Sequence, residues 1–447
     1  MKKQHDFTSG NILQQIFAFS TPILLTQLLQ VSYQFTDSLW VGNLLGANAL
    51  GAVAVSSTVI FTILSFIIGI NNTTLTVLSQ KKGQKDEAGL VRYLNAFVVT
   101  LFVMALVLGI IGFLLAGPIL TLLGTPTSMM AAAEAYLKIN ASGIFFLLGY
   151  NFIGTVLRAV GDSRTPLTIV TIAVVLNVIL DPVFISVFNL GVNGAAFSTI
   201  ISQGAAFIYG IIYVLKKQLI PFSTPFIPEW EEMKLILYLG IPSGLQMSVI
   251  SVGSAAIMSV VTSHGESVVA GFSAAQRLDS LFMLPAQALG TTVNSMAGQN
   301  IGVGKWDRVK KISWYGALYN LVVMLFLALL IFFFAEFGVQ LFIDDREAIQ
   351  FGAEYLMIVA FFYPFLGLNF ILNGVVRASG AMYQVLVLNI ISFWVLRYPL
   401  TYLFSDWFGS KGIALGMGTS FVISSSFAFG YYRFGKWGEK ELFKQTS

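Results

Sequence analysis

Short motifs occur twice in this chain, roughly 220 residues apart, and this internal repeat constrains the fold more than any single residue does. The repeated pairs are Tyr136-Leu137 with Tyr355-Leu356, Arg158–Gly161 with Arg377–Gly380, Gly191–Ala196 with Gly409–Ala414, and Pro22 with Pro242. Many secondary transporters are built from two such repeats, with the substrate site near the repeat interface. The repeat therefore predicts two related halves and points to transport.

The composition indicates a membrane protein. Of 447 residues, 56% are hydrophobic and only 10% are charged, and the mean hydropathy is +0.80. This is more apolar surface than a soluble core needs, and the long apolar stretches favour transmembrane helices. The absence of cysteine excludes disulfides, thiolate metal sites and thiol catalysis.

We predict twelve transmembrane helices, each a run of about 20 apolar residues bounded by charge, Gly or Pro. The predicted spans are 12–40, 48–78, 91–115, 133–157, 165–187, 194–215, 234–261, 268–298, 311–335, 350–375, 384–404 and 412–433. The predicted domains are a first lobe at 1–215, a cytoplasmic linker at 216–233 and a second lobe at 234–447. Because each lobe has an even number of spans, both enter the membrane from the same side, as a parallel repeat. The predicted fold class is an all-α integral membrane protein with two six-helix bundles.

Basic residues fall almost entirely on one side of this twelve-span arrangement. They are Lys2, Lys3, Lys81, Lys82, Lys85, Arg92, Arg164, Lys216, Lys217, Lys305, Arg308, Lys310, Lys311, Arg433, Lys436, Lys440 and Lys444, against Arg346 and Lys411 on the other side. By the positive-inside rule the basic side, with both termini, is cytoplasmic, and we expect a multi-pass protein of the cell membrane. These short-loop charges form no nucleic-acid-binding patch, so no nucleic-acid partner is expected.

A polar face on the first span is the main candidate site. Gln27, Gln30, Gln34 and Asp37 are spaced three or four residues apart, and Tyr33 lies one turn before Asp37. Ionisable residues within the membrane are costly, and they usually face a bundle interior or a water-filled cavity. The alternative is that Asp37 is a solvated carboxylate near the outer end of its helix.

The fifth span carries a second candidate carboxyl. Asn177 and Asp181 are four residues apart on one helical face, directly before Pro182. Asp181 could join Asp37 in one cavity of the first lobe, or it could only support a kink at the proline. The positions of the second lobe that correspond to Asp37 and Asp181 are Ile257 and Tyr398, so the carboxyl pair is peculiar to the first lobe.

The second lobe has separate polar candidates. Arg277 and Asp279 on the eighth span are two residues apart, so they point in different directions and should not pair with each other. For Arg277 and Arg397 a structural anchor and a cavity role remain equally open. Met247 and Met283 could line an adaptable pocket or could be ordinary packing. His5 and His264 lie outside the predicted spans, and no metal or cofactor is expected.

Taken together, these features resemble the multidrug and toxic compound extrusion (MATE) transporters along essentially the whole chain. The resemblance is carried by the parallel repeat, Pro22 and Asp37, the Asn177/Asp181 pair before Pro182, the Arg158–Asp162 motif and the Gly191–Ala196 loop. The sequence is most similar to the DinF-type branch. That similarity implies a cation-coupling cluster of Asp37, Tyr33, Asn151, Asn177, Asp181 and Thr199. The sodium site of the NorM branch, which the resemblance places on the seventh and tenth helices, lacks core acidic residues here, since Glu354 lies at the outer edge of the tenth.

The expected activity is efflux of cationic or amphipathic drugs in exchange for protons. Two carboxyls buried together should bind a proton, which would displace a cation held by their charge. Pro22 is the expected helix hinge. The expected substrate contacts are Gln30, Gln34, Asp37, Met247, Gln276, Arg277 and Met283. A monomer in the lipid bilayer is expected.

Three alternatives remain open. Sodium could replace the proton as coupling ion. A flippase for a lipid-linked precursor would need several cationic residues in its cavity, for which only Arg277 and Arg397 are candidates. A membrane-embedded enzyme is disfavoured, because the sequence shows no zinc motif and no paired nucleophile and base.

Overall fold

The computed structural model describes residues 5–223, 225–440 and 442–443, so Lys2, Lys3 and Lys444 of the orientation argument lie outside the described residues. The helices, in chain order, are α1 (Ile12–Leu45), α2 (Ala47–Gln84), α3 (Glu87–Leu114), α4 (Ala116–Leu122), α5 (Thr127–Ser142), α6 (Ile144–Ala159), α7 (Arg164–Pro182), α8 (Val192–Lys217), α9 (Trp230–Thr262), α10 (Glu266–Phe282), α11 (Leu284–Gly302), α12 (Trp306–Gln340), α13 (Arg346–Ala360), α14 (Tyr363–Ala378), α15 (Met382–Ile390), α16 (Tyr398–Phe408) and α17 (Lys411–Phe434). Two π-helical turns, Val183–Val187 and Ile391–Arg397, follow α7 and α15, and a 3₁₀ turn, Lys436–Glu439, follows α17.

The all-helical membrane fold is confirmed. Within the described residues nine helical segments are long and apolar enough to cross a membrane, and two bent helix pairs raise the number to eleven. The remaining predicted span, 268–298, is covered by α10 and α11. This pair carries Gln276, Arg277 and Asp279, which lower its hydropathy. The predicted count of twelve is consistent with this arrangement.

Three spans that the sequence predicted as single helices are interrupted. The span predicted at 133–157 bends by 51° between α5 and α6, and the span at 350–375 bends by 54° between α13 and α14. The span at 268–298 is interrupted at Met283. In the second half both breaks precede a proline in the first turn of the next helix, Pro285 in α11 and Pro364 in α14, where a missing N–H costs least.

The break in the first half has a different cause. Gly143 separates α5 from α6, and a Cβ at this position would overlap the side chain of Ile200 on α8. Glycine therefore allows α8 to pack closely against the bend. The sequence prediction of one continuous helix was wrong here, because this restriction comes from a residue distant in the chain.

The chain forms two compact units. The first contains residues 1–5 and 25–238, and the second contains residues 6–24 and 239–447. The first part of α1 thus belongs to the second unit and the first part of α9 to the first unit. Pro22 and Pro242 lie within four residues of these two boundaries.

Within each pair of repeated glycines the two residues have nearly the same positive φ. Gly161 and Gly380 have φ of +92° and +87°, and Gly191 and Gly409 have φ of +58° and +64°. A side chain in this left-handed region would be strained, which explains why glycine occurs at both members of each pair. The sequence repeat is therefore also a repeat of backbone geometry.

Candidate functional site

The two first-lobe aspartates meet in the interior of the first unit. Asp37 on α1 is 8% exposed and Asp181 at the end of α7 is fully buried. Because α1 continues to Leu45, two turns beyond Asp37, this carboxyl is not the solvated helix-end group of the alternative interpretation. The Asp37 and Asp181 carboxyl groups lie at hydrogen-bonding distance from each other.

Asp181 is held by a second contact that crosses between helices. The Asn177 amide nitrogen donates to Asp181 Oδ1 at 3.1 Å and to Ser198 Oγ on α8 at 3.1 Å. All three side chains are buried. This bridge orients the Asp181 carboxyl through Oδ1, while Oδ2 accepts no hydrogen bond from the described residues.

The hydrogen-bond inventory of the pair favours one bound proton. Among the described residues, Asp37 Oδ1 and Asp181 Oδ2 have no donor. Two ionised carboxylates offer acceptors only, so they cannot hydrogen-bond to each other. A single proton between them removes one negative charge from a low-dielectric site and supplies the missing donor. The geometry is that of a proton-sharing carboxyl pair.

Two tyrosines border the carboxyl pair. The Tyr33 hydroxyl lies beside Thr199 of α8, and its ring is close enough to Asp37 for a charge interaction. Tyr136, from the repeated motif, is buried within charge-interaction range of both aspartates and contacts Ser57 and Asn140. The pair is therefore enclosed by neutral hydroxyl and amide groups.

The remaining first-lobe candidates lie at different positions around this cluster. Asn151 donates its amide to the Leu147 carbonyl of its own helix at 2.8 Å and lies beside the Tyr150 hydroxyl. Gln30 contacts the same hydroxyl. Gln34 is exposed, one turn from Gln30. Gln30, Tyr150 and Asn151 thus form a second polar group that links α1 to α6.

Sequence reasoning missed Ser198, Tyr136 and Tyr150. Ser198 is adjacent to Thr199, which was predicted, but only the fold shows that its hydroxyl reaches Asn177. Tyr136 was recognised as part of a repeat and given no role. The occurrence of a tyrosine at this position in both repeats, as Tyr136 and Tyr355, was the sequence feature that could have indicated a functional role.

The backbone beyond Asp181 is irregular. Pro182 ends α7, and the chain continues as the π-helical turn Val183–Val187. Gly194 packs against this turn, since a Cβ there would lie 2.7 Å from the Phe184 carbonyl carbon. π-Helical turns are frequent at functional sites. The turn and the close approach of α8 together position Asp181 and Ser198.

The second unit contains its own buried polar cluster. Tyr355 donates to Asp279 Oδ2 at 3.3 Å, so Asp279 on α10 has the partner that the sequence did not reveal. Arg397 is 6% exposed, with its guanidinium 3.8 Å from the Phe393 ring centroid and 4.7 Å from that of Phe421. It also interacts electrostatically with Asp279 and Tyr355.

The predicted substrate residues of the second unit differ in their exposure and in their contacts. Arg277 is exposed, with its guanidinium over the Phe342 ring at 5.6 Å, and it does not pair with Asp279, as its spacing predicted. Gln276 is also exposed. Met247 is half-buried on α9, whereas Met283 packs against the hydrophobic core of this unit.

Sequence comparison supports one family for the whole chain. The profile of the MatE family matches residues 22–183 and again 242–403, which are the two repeats. The probable multidrug resistance protein YpnP of Bacillus subtilis is 59% identical over 99% of this chain and 100% of its own length. The FAD transporter of Shewanella oneidensis is 25% identical over 93% of both chains.

Solved structures show the same fold. A multidrug resistance MATE family transporter of the MOP superfamily in its outward-facing conformation superimposes with a TM-score of 0.92, at 21% identity, over 99% of this chain and 100% of that one. The MATE transporter VcmN of Vibrio cholerae in its bent form gives a TM-score of 0.91 at 23% identity, over 96% and 97% of the two chains. With the double match to the family profile and the close full-length relative, this chain belongs to the MatE family of multidrug efflux transporters.

Proposed function

We propose that this protein exports cationic amphipathic compounds in exchange for protons, with the Asp37/Asp181 pair as the coupling site. The observation that carries the proposal is the contact between the buried carboxyls of Asp37 and Asp181, in which Asp37 Oδ1 and Asp181 Oδ2 have no hydrogen-bond donor among the described residues. The 59% identical relative is named a probable multidrug resistance protein, which supports the substrate class.

Coupling follows from competition between a proton and a drug. When both carboxyls are ionised, their negative charge holds a cation, and the Gln30, Tyr150 and Asn151 group offers hydrogen bonds. A proton shared by Asp37 and Asp181 removes half of that charge and so weakens cation binding. By linkage each ligand then lowers the affinity for the other, which is the thermodynamic requirement for antiport.

Pro22 is the proposed hinge of α1. A proline within a helix cannot donate to the carbonyl four residues earlier, here that of Ala18, and it weakens the helix at that turn. Residues 6–24 belong to one compact unit and residues 25–45 to the other, so the weakened turn lies where α1 passes between units. Protonation of Asp37 in the following part of the helix can then change its direction.

The coupling ion is assigned from the contact between the two carboxyls, because a shared proton supplies the donor that this contact lacks. The Asn177 amide nitrogen already donates to Asp181 Oδ1 and to Ser198 Oγ. Buried oxygens of Asp37, Asp181, Asn177 and Thr199 have no hydrogen-bond partner among the described residues. Such oxygens are the ligand type that sodium needs, so the sodium-gradient measurement decides between the two ions. We propose protons as the coupling ion, and we also propose that the protein belongs to the DinF-type branch and is a monomer in the cell membrane with both termini cytoplasmic.

Transport in proteoliposomes tests the proposal. A fluorescent cationic dye is followed under an imposed pH gradient and, separately, under an imposed sodium gradient, for the native protein and for Asp37→Asn. We expect movement under the pH gradient, lost in Asp37→Asn. The matched control is Asp279→Asn, which neutralises a half-buried carboxyl of the second unit and should transport the dye.

Three results contradict the proposal. Full pH-driven transport by Asp37→Asn would show that the pair does not couple. Transport driven by sodium alone would change the coupling ion. Movement of an anionic flavin in place of the cationic dye would replace the substrate class by that of the Shewanella relative.

A further inference from the structure

A groove in the second unit runs between two helical segments of the membrane-spanning region. It has a volume of about 760 Å³ and lies between α15 with its π-helical turn and α17. Its lining is mainly aliphatic and aromatic and includes Val387, Leu388, Ile391, Ile423, Phe427 and Phe434. Both walls belong to segments apolar enough to cross a membrane, so the groove accommodates an apolar molecule within the bilayer.

The groove has one mouth at a helix end. Tyr383 and Gln384 stand in the first turn of α15, and Tyr431, Phe434 and Gly435 stand at the end of α17, so these residues share one membrane face. From Tyr383 to Ile391 the lining follows eight residues of helix, or about 12 Å at 1.5 Å per residue. The groove is therefore long enough to hold a substantial part of an acyl chain.

Positive charge is concentrated at this mouth. Lys440 Nζ donates to Gln384 Oε1, a residue of the groove wall, at 3.1 Å. Lys436 directly follows Gly435, and Arg433 lies one turn earlier on α17. In the sequence from 430 to 444, four basic residues, Arg433, Lys436, Lys440 and Lys444, stand against two acidic ones, Glu439 and Glu441.

The segment that carries the lysines is fixed in place. Trp437 donates from its ring nitrogen to the Tyr432 carbonyl at 2.7 Å and stacks on the Tyr432 ring with centroids 5.2 Å apart. It also packs edge-on against Trp306. Partial burial lowers the pKa of Lys440, and no charge interaction with a described carboxylate offsets it. An anion at this position would stabilise the ammonium.

We propose that this groove binds an anionic phospholipid, with an acyl chain along α15 and α17 and the phosphate at Lys440 and Lys436. The charge at the mouth complements a phosphodiester and opposes a cationic drug. The apolar walls lie within the bilayer and therefore suit a hydrocarbon chain rather than a soluble partner. The site is separate from the carboxyl pair and would bind lipid whether or not the protein exports drugs.

Gly430 provides a direct test of occupancy. It lines the groove, and a Cβ built on it meets no atom within 4 Å, so a larger side chain can enter the groove without disturbing the helix. Gly430→Trp fills the groove, and Gly430→Ala is the matched control. Lys440→Gln removes the charge that contacts the wall, and Lys311→Gln removes an exposed charge of the same basic face.

The measurement is retention of phosphatidylglycerol or phosphatidylcholine by the purified full chain in native mass spectrometry. We expect the native protein to retain phosphatidylglycerol preferentially. Lys440→Gln should weaken that retention about fivefold, the usual contribution of one basic residue to binding an anionic membrane. Gly430→Trp should abolish the specific retention, while Gly430→Ala and Lys311→Gln should leave it within about twofold.

Three outcomes would overturn the proposal. Equal retention of both lipids would show that the mouth does not select an anion. Undiminished phosphatidylglycerol retention by Gly430→Trp, with Lys440→Gln and Lys311→Gln equally affected, would show that the lipid binds a diffuse basic surface. The cationic dye is also tested with protein in phosphatidylcholine alone. If the dye binds there and Gly430→Trp abolishes that binding, the groove is a drug site.

Discussion

Equivalent tyrosines of the two repeats, Tyr136 and Tyr355, lie beside carboxyl groups that differ in their charged neighbours. In the first unit Tyr136 faces Asp37 and Asp181, and among the described residues no cation contributes to the charge environment of this pair. In the second unit Tyr355 donates to Asp279, and Arg397 lies within charge-interaction range. One repeat thus places two carboxyls in contact, whereas the other places a single carboxyl within charge-interaction range of a guanidinium.

This difference supports the proposal that the coupling site lies in the first unit alone. A cluster of two carboxyls changes its net charge when one proton binds, so it can report protonation to the rest of the protein. A carboxylate near a guanidinium has little reason to change its charge, because the neighbour stabilises the ionised form. The second unit can therefore keep the repeat architecture without becoming a second switch.

Among the substitutions that compare the two units, neutralising Asp181 gives the largest expected functional effect. Asp181→Asn leaves Asp37 without a carboxyl to share its proton, so proton and drug binding should uncouple. We expect pH-driven dye export to fall by about 5- to 150-fold, the usual range of coupling between two ligands. Initial rates in proteoliposomes measure it. Asp279→Asn, assayed beside it, should retain most of the rate, and an equal loss in both variants would erase the contrast between the units.

Removing the guanidinium of the second unit should act on stability. Arg397→Leu leaves Asp279 without its compensating charge and deletes the contacts to Phe393 and Phe421. We expect a loss of about 2 kcal/mol, the usual contribution of a desolvated cation–π contact, seen as a lower unfolding temperature of the detergent-purified protein.

The double variant isolates the charge term in that loss. Arg397→Leu with Asp279→Asn should recover part of it, because the uncompensated carboxylate is then absent. Asp181→Asn in the first unit should not destabilise in the same way, since it removes a like-charge contact. A double variant no more stable than Arg397→Leu alone would show that packing against the two phenylalanines, and not Asp279, determines the role of Arg397.

The two helix prolines offer a milder comparison. Pro22→Ala restores a donor in α1, which carries Asp37, whereas Pro242→Ala does so in α9, which carries no carboxyl at the corresponding depth. We expect Pro22→Ala to slow export several-fold through a stiffer α1, and Pro242→Ala to change it by less than about twofold. Rates at matched protein density measure both. Equal slowing would indicate that bending is required in both repeats.

The sequence alone predicted a large part of this arrangement, for identifiable reasons. Apolar segments of about 20 residues with charged residues at their ends predicted the spans, since a helix that crosses a membrane needs that length and composition. The spacing of Gln30, Gln34 and Asp37, and of Asn177 and Asp181, predicted shared helical faces. The family resemblance then indicated which of these faces meet.

What could not be predicted depends on contacts between distant residues. Gly143 gives no local signal for a 51° bend, because the reason is its approach to Ile200 on another helix. The bond from Asn177 to Ser198 and that from Tyr355 to Asp279 likewise require helices to be placed first. A sequence shows which polar residues need partners, and only the packed helices show which partners they find.

The smallest expected effect concerns two ion pairs, one at the end of α2 and one in the first turn of α12. Lys81 and Asp86 are 2.8 Å apart with Lys81 only 9% exposed, whereas Lys310 and Asp307 are 3.7 Å apart and largely exposed, at 73% and 96%. Asp86 also caps α3 by accepting from the Gly89 amide. Because the Asp86 side chain is 37% exposed and solvent screens the pair, Asp86→Asn should cost only about 0.5 kcal/mol, while Asp307→Asn should have no measurable effect.

The pH dependence of Asp86 has a defined sign. The Lys81 ammonium holds the pKa of the Asp86 carboxyl below its usual value. The stability that this contact contributes is therefore present above the unfolded-state pKa, near 3.9, and is lost as the pH falls through the lower folded-state value. Thermal unfolding of native protein and Asp86→Asn should differ at pH 7 and converge on acidification. A difference that persisted or grew at low pH would contradict the charge assignment and leave only the helix cap.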